Sequence, residues 1–244
     1  MIRKLKCQAL FYEVKKKRVK DEKELDGEFF TAEELIEWIE AAQNDLNNDK
    51  IILQDYVLFM LTMHLGDRKS ESYALQWQHI DFNNRRIILI QSQDRYGVIK
   101  STKGNKHTIF NMPDLIYDLL VMWKKHQKAE LDAVGLKQTE NQRLFSYINR
   151  RGEVNQPVHI DYLNRRINAI RQRHPYLASL TPHKLRHTFG TLASLGSASM
   201  NSISKALTHS ELKTTRIYVN APDFIDSSVY DSFASVLERA KAKV

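Results

Sequence analysis

Residues 51–65, IILQDYVLFMLTMHL, are apolar on nearly every side of a helix. A segment of this kind must be covered by other parts of the protein, and it is shorter than the roughly 20 apolar residues that span a bilayer. The chain of 244 residues, 42% of them hydrophobic, is long enough to supply that cover. With only 8 glycines and 5 prolines, it is expected to be an ordered, mostly helical globule built around this central helix.

Helix start and stop signals occur on both sides of this segment. Thr31 followed by Glu34 has the form of a capping box, before a helix that extends to about Asp45. Thr181 before Pro182 is typical of an N-cap with proline in the first turn. Gly196 is placed to end that helix. Further helices are predicted over residues 113–131, 160–173, 199–207, 213–219 and 223–240.

The pattern between residues 82 and 111 is different. A turn at 82–85 precedes an isoleucine-rich strand at 86–91, and two more strands are predicted at 96–100 and 107–111, around a tight turn at 103–105. Three short strands in sequence predict a small antiparallel sheet. The fold class is therefore mainly α with a small antiparallel β-sheet (α+β).

The net charge of +8 is unevenly distributed along the chain. Residues 1–20 hold eight basic side chains against one acidic, residues 21–84 four against fifteen, and residues 85–187 nineteen against eight. This segregation predicts a basic face for a polyanion and an acidic face turned away from it. In the first segment Lys15, Lys16, Lys17 and Arg18 are candidate contacts to a phosphate backbone, and a solvated linker is the alternative.

Cysteine usage and the N-terminus bear on location. The single cysteine, Cys7, cannot form an internal disulfide or, alone, a zinc site, which favours a reducing compartment. The first ten residues, MIRKLKCQAL, carry charges where a signal peptide needs an apolar core. A soluble cytoplasmic protein without membrane segments is expected.

The sequence HKLRH at 183–187 places two histidines and an arginine on one face of a helix, and His209 and Tyr218 follow. Zinc is one interpretation, since histidines at i and i+4 can chelate it. The protease motif HExxH, however, has a glutamate where this chain has Lys184, and the cations Lys184 and Arg186 would repel a metal.

Catalysis of phosphoryl transfer is the second interpretation of this motif, and it makes use of the same cations. A phosphodiester under attack gains negative charge on its nonbridging oxygens, to which an arginine offers paired donors. Histidine can add a donor or take a proton, and tyrosine needs such help to attack at neutral pH.

The segments TPHKLRHTFGTLAS and ALTHSELKTTRIYVN resemble the C-terminal signature of tyrosine recombinases and phage integrases. That signature is H-x-x-R-H, then L-G-H, then a tyrosine nine positions after the last histidine. The matching residues are His183, Arg186, His187, His209 and Tyr218. Thr208 departs from the family's usual glycine.

Two upstream segments extend the resemblance. LTMHLGDRKSESYALQWQHIDF resembles the family's first arginine box, which identifies Arg68 and Glu71, with polar departures at Asp67, Lys69 and Ser70. STKGNKHTIF resembles the strand turn that carries the catalytic lysine, which points to Lys103, with Lys100 and Lys106 as competitors.

The resemblance implies a site-specific recombinase that cleaves and rejoins DNA through a 3′-phosphotyrosine, without metal, ATP or organic cofactor. The implied catalytic set is Tyr218 as nucleophile, Arg68, Arg186 and His209 on the nonbridging oxygens, His183 as base and Lys103 as acid, with Glu71 and His187 in support. Implied partners are double-stranded DNA attachment sites, further copies in a tetramer and an accessory directionality factor, as in integration of a mobile element.

The expected organisation has three parts. Residues 1–28 are a basic linker or the remnant of a core-binding domain, 29–225 the catalytic domain, and 226–244 a tail helix that packs on its own domain or docks on a neighbouring protomer. The chain is expected to be a catalytic fragment or a shortened enzyme. The alternatives are a type IB topoisomerase, a noncatalytic DNA-binding module and a metal-dependent nuclease.

Overall fold

The computed structural model describes residues 29–102, 108–207 and 229–242. The helices are α1 (Ala32–Asn47), α2 (Leu53–Leu65), α3 (Lys69–Ala74), α4 (Asp114–Ala133), α5 (Tyr162–Arg173), α6 (Pro182–Leu195), α7 (Met200–Ala206) and α8 (Val229–Lys241). The strands are β1 (Ile80–Asp81), β2 (Arg86–Leu89), β3 (Gln91–Gln93), β4 (Ile99–Ser101), β5 (Thr108–Asn111), β6 (Ser146–Tyr147) and β7 (Gln156–Pro157). The predicted fold class, mainly helical with small antiparallel sheets, is confirmed.

Helix α2 is the central element of the core. Its residues from Gln54 to Leu65 are all buried. It is packed by α1, α4, α5, α6 and α8, which is the all-round cover that its sequence requires. None of the helices in the described ranges is both long and apolar enough to cross a membrane.

The predicted helix signals are confirmed in their side-chain geometry. Thr31 Oγ1 accepts a hydrogen bond from the Glu34 amide at 3.2 Å, and a Glu34 carboxylate oxygen accepts one from the Thr31 amide at 2.9 Å. Thr181 Oγ1 likewise caps α6 by accepting from the Lys184 amide at 3.1 Å. Gly196 ends α6. These local interactions fix where α1 and α6 begin.

The prediction that the three strands form one sheet is wrong. Strand β2 pairs with β1 and β5 in a three-stranded antiparallel sheet, whereas β3 and β4 form a separate hairpin. The predicted strand at 96–100 also begins too early, because Asp94 Oδ1 accepts from the amides of Tyr96 and Val98 and so folds these residues into a turn. A third pair, β6 with β7, was not predicted.

The tail helix α8 packs against α6 and α1 of its own chain. Phe233 is buried, with its ring centroid 5.2 Å from that of Phe189 and 5.7 Å from that of His64. Gly196 permits this approach, since a Cβ atom there would lie 2.2 Å from the Ser232 carbonyl oxygen. The predicted helix at 213–219, the turn at 103–105 and the segment 1–28 lie outside the described residues.

Candidate active site

The site is built on the turn that follows α2. Gly66 ends that helix with a φ of +59°, a conformation that favours glycine. A Cβ atom on Gly66 would lie only 2.4 Å from Cδ1 of Phe189 on α6. Glycine is therefore needed for both backbone conformation and close packing, and it brings the turn carrying Asp67 and Arg68 against α6.

Arg186 connects α6 to this turn. Its side chain is buried, with 5% of the residue exposed, and Nη1 donates to the Gly66 carbonyl oxygen at 2.9 Å. Nη2 donates to the carbonyl oxygen of Leu207, at the end of α7. Two carbonyl acceptors on different elements fix the plane of the guanidinium group, so that its direction is set before any ligand binds.

Arg68 is held differently, at the start of α3. Its backbone amide donates to one carboxylate oxygen of Glu71 at 2.9 Å, and its Nη1 donates to the other at 3.1 Å. Glu71 is buried, whereas 49% of the Arg68 side chain is exposed. Glu71 therefore orients Arg68 and cannot itself reach solvent; its supporting role stays a prediction.

Asp67 directly precedes Arg68 in the turn, and its burial was not predicted from the sequence. It is 1% exposed, and its Oδ2 accepts from Ser72 Oγ at 2.7 Å. Its Oδ1 is buried without a hydrogen-bond partner among the described residues. Burial raises the pKa of Asp67 well above its ordinary value, and the charge of Glu71 adds to this rise.

The two histidines of α6 contact each other. The Nε2 atoms of His183 and His187 are 2.7 Å apart in a hydrogen bond whose donor depends on the tautomer. His183 is exposed and His187 is partly buried. Burial, together with the nearby His183 and Arg186, lowers the pKa of His187 to about 4. A neutral His187 can share one hydrogen with His183 and orient its ring, as expected of a supporting residue.

The structure thus brings together Arg68, Glu71, Arg186, His183 and His187. The other predicted site residues lie outside the described ranges: Lys103, His209, Tyr218, Lys15, Lys16, Lys17 and Arg18. Lys100, a competitor for the lysine position, is described, and its Nζ is paired with Asp94 Oδ2 at 2.7 Å. Among the described side chains, no group of three or more histidine, cysteine, aspartate or glutamate residues is placed to hold a metal ion.

Curated relatives are similar to this chain in sequence. The chain is 27% identical over 168 residues to the tyrosine recombinase XerC of Pediococcus pentosaceus, covering 69% of this chain and 50% of that protein. It is 26% identical over 196 residues to the tyrosine recombinase XerH of Campylobacter jejuni, covering 79% of this chain and 48% of that protein. The chain therefore spans about half the length of the relatives it matches.

Solved structures share the fold. A crystal structure of XerA recombinase superposes with a TM-score of 0.59 at 21% identity, covering 88% of this chain and 64% of that one. The Tn1549 transposon integrase in complex with transposon right end DNA gives a TM-score of 0.60 at 21% identity, covering 82% of this chain and 63% of that one. The family model described as the phage integrase family matches residues 28–223, the stretch that contains every catalytic residue expected above. This chain is accordingly a member of the phage integrase family.

Proposed function

We propose that this chain is the catalytic part of a site-specific DNA recombinase that cleaves and rejoins DNA strands through a 3′-phosphotyrosine intermediate. The observation that carries the proposal is the bond from Arg186 Nη1 to the Gly66 carbonyl oxygen, 2.9 Å long. It joins two segments that are far apart in sequence, and each of them contributes an arginine. Two guanidinium groups beside two histidines suit a phosphodiester whose nonbridging oxygens gain charge.

The arginines differ in how they would act. Arg186 is buried and fixed by two carbonyl oxygens, so it presents a preorganised charge to the phosphate. Arg68 is half exposed and tethered by Glu71, which allows it to close on the phosphate from the solvent side. No metal is required for this stabilisation.

The covalent step is assigned to residues carried by the motif. The phenolic oxygen of Tyr218 would attack phosphorus and form the 3′-phosphotyrosine, while the bond from phosphorus to the 5′ oxygen breaks. His183, oriented by His187, would take the phenolic proton. Lys103 would protonate the departing 5′ oxygen, and His209 would donate to a nonbridging oxygen. The reverse attack by a 5′-hydroxyl would rejoin a strand and release the tyrosine.

The partners are also proposed rather than observed in this chain. Related structures include a transposon integrase in complex with transposon right end DNA and the XerH recombinase bound to its difH substrate, which supports duplex DNA sites as the substrate. We extend the proposal to a tetramer on DNA and to an accessory directionality factor. Docking of the tail onto a neighbouring protomer would require α8 to leave the surface where Phe233 and Leu237 are now buried.

A covalent trapping experiment tests the proposal. The chain is incubated in chelator with a nicked suicide duplex that carries a related attachment sequence, and a protein–DNA adduct stable to denaturant is expected. Tyr218→Phe should abolish the adduct, whereas Tyr176→Phe, a matched change at a side chain that is 67% exposed, should not. An adduct that persists in Tyr218→Phe would move the nucleophile elsewhere, with Tyr230 the next candidate. Cleavage that requires added metal and leaves no adduct would favour a nuclease instead.

A further inference from the structure

The turn between α2 and α3 carries a buried carboxyl group that the proposed chemistry does not use. In sequence, Asp67 lies between Gly66, whose carbonyl oxygen accepts from Arg186, and Arg68, the N-cap of α3. Only 1% of Asp67 is exposed. Both of its neighbours in the chain hold part of the site, so the way its side chain is anchored bears on both arginines.

The side chain of Asp67 ties this turn to the two helices beside it. Its Oδ2 accepts a hydrogen bond from Ser72 Oγ on α3 at 2.7 Å. Ser72 Oγ in turn lies 3.3 Å from Thr62 Oγ1 on α2, within hydrogen-bond distance. All three residues are buried. Because water cannot replace a lost partner in the interior, such a chain of polar groups holds the turn in one position.

The other carboxyl oxygen of Asp67 limits its charge state. Oδ1 is buried without a hydrogen-bond partner. Ionisation would place a charged oxygen there unpaired, at a much higher cost than that of a neutral one. The charges of Glu71 and Arg186 act on the pKa of Asp67 in opposite directions, and burial, the largest effect, raises that pKa. A neutral carboxylic acid keeps the bond to Ser72 with either oxygen as the donor.

Folding alone gives no reason for a carboxyl group at this position. Gly66 already sets the backbone of the turn, and an apolar side chain would occupy a buried position without leaving an oxygen unpaired. The first arginine box does not explain it either, since Asp67 is one of the polar departures from that motif. A local feature that lowers stability without an evident structural gain is expected at functional sites.

We propose that Asp67, as the neutral carboxylic acid, is a positioning residue for strand cleavage, and that its bond to Ser72 fixes the Gly66 carbonyl and Arg68 before the phosphate binds. This inference rests on the proposed function. Asp67 would act only through the groups that hold the two arginines, without touching the DNA. Misplacing such groups by about 1 Å can slow a reaction by about 10²-fold.

The test measures the rate constant of adduct formation at saturating suicide duplex and, separately, the dissociation constant for that duplex. Asp67→Ala and Ser72→Ala should each lower the rate constant by about 10-fold to 10²-fold and change the dissociation constant by less than about twofold. The double variant should be no slower than the slower single variant, because both changes remove the same hydrogen bond. Asp67→Asn should stay within about threefold of the unaltered chain, since its amide can replace the neutral acid.

Asp45→Asn is the matched control. Asp45 is also buried, but it pairs with Arg173 and His174, between α1 and α5. Its replacement should lower the stability in urea and the fraction of active molecules, and should leave the rate constant unchanged. A purely structural role of Asp67 would give this same result, namely a smaller amplitude of adduct formation at an unchanged rate constant.

Three results would overturn the inference. Unchanged rate constants in Asp67→Ala and Ser72→Ala would show that the turn is held without this bond, and multiplied effects in the double variant would show that the two side chains act independently. A slow Asp67→Asn would show that the ionised carboxylate is needed. If Asp67→Ala does not fold, Ser72→Ala and Asp67→Asn decide the question.

Failure of the proposed function is distinguishable from failure of this inference. In that case the unaltered chain would form no adduct. The bond between Asp67 and Ser72 could still be measured as non-additive effects of the two alanine substitutions on urea unfolding. Additive effects there would overturn the inference as well.

Discussion

The buried His64 of α2 should make the folded chain sensitive to acid. His64 is 7% exposed, its Nδ1 lies 2.8 Å from the Met60 carbonyl oxygen, and its ring packs on Phe233 of α8. Burial lowers its pKa from 6.5 to about 4, and Lys241 adds to the effect. Because the folded pKa is below the unfolded one, the unfolded chain binds the proton more readily. The stability contributed by the neutral, buried His64 is therefore fully present above pH 6.5 and is lost as the pH falls towards 4.

The size of the stability loss follows from the difference between the folded and unfolded pKa values of His64. Each pH unit within the window costs about 1.4 kcal/mol, so lowering the pH from 7.5 to 5 should cost about 2 kcal/mol through His64 alone. The assay is urea unfolding at these two pH values. His64→Leu, which leaves no polar group unpaired, should remove this part of the pH dependence.

His126→Gln, at a half-exposed position on α4, is the control and should retain the full pH dependence. Burial also shifts the pKa values of His187 and Asp67, but both residues are present in each variant and drop out of the comparison. The protection of α8 amides from exchange, measured relative to the intrinsic rate at each pH, should also fall at pH 5 in the unaltered chain, since the proton is taken up at the surface that holds Phe233. If the unaltered chain and His64→Leu lose the same stability between pH 7.5 and 5, the reasoning is refuted.

Two further predictions concern Gly66, in the turn that follows α2, and Lys103. Gly66→Ala should lower the free energy of unfolding by about 2 to 5 kcal/mol, from backbone strain and overlap with Phe189, and should reduce adduct formation by displacing the Arg186 acceptor. Gly135→Ala, with a φ of +73° but open space around it, should cost only about 1 kcal/mol in the same urea assay; equal costs would show that the Phe189 contact is unimportant. Lys103→Ala should slow cleavage by about 10² to 10⁴-fold and recover on a substrate with sulfur at the bridging 5′ position, because a thiolate leaves without a proton. Rescue of Lys100→Ala or Lys106→Ala instead would reassign the acid.

Elements whose signals are local could be predicted from sequence. The caps at Thr31 and Thr181 depend on hydrogen bonds to residues only three positions away, and the core helix α2 depends on its own apolar composition. The positions of Arg68, Glu71 and Arg186 followed from motif spacing, and the contact between Gly66 and Arg186 is consistent with it. What the motif could not give is how each arginine is held, since that depends on carbonyl and carboxylate groups from other elements.

Features that depend on distant pairing were missed. The strand at 86–89 pairs with 108–111, across an intervening hairpin, and strand propensity carries no information about partner choice. Helix α3 is only six residues long, and its N-cap is Arg68, which is not one of the residue types usual at that position. The tripeptide Asn-Arg-Arg occurs at 149–151 and again at 164–166. Only the fold shows that these two copies share one depression.

We expect the two arginines of the site, Arg68 on the turn after α2 and Arg186 on α6, to divide the work of binding and catalysis. A fully buried pair of guanidinium groups would be costly to desolvate without an anion, whereas two mobile exposed ones would have to be ordered during the reaction. This chain buries Arg186 against two carbonyl oxygens, which offset part of its desolvation cost, and leaves Arg68 half exposed on the buried Glu71. Arg186 would therefore be fixed before DNA binds, while the exposed side of the site, where Arg68 lies, could still admit a duplex.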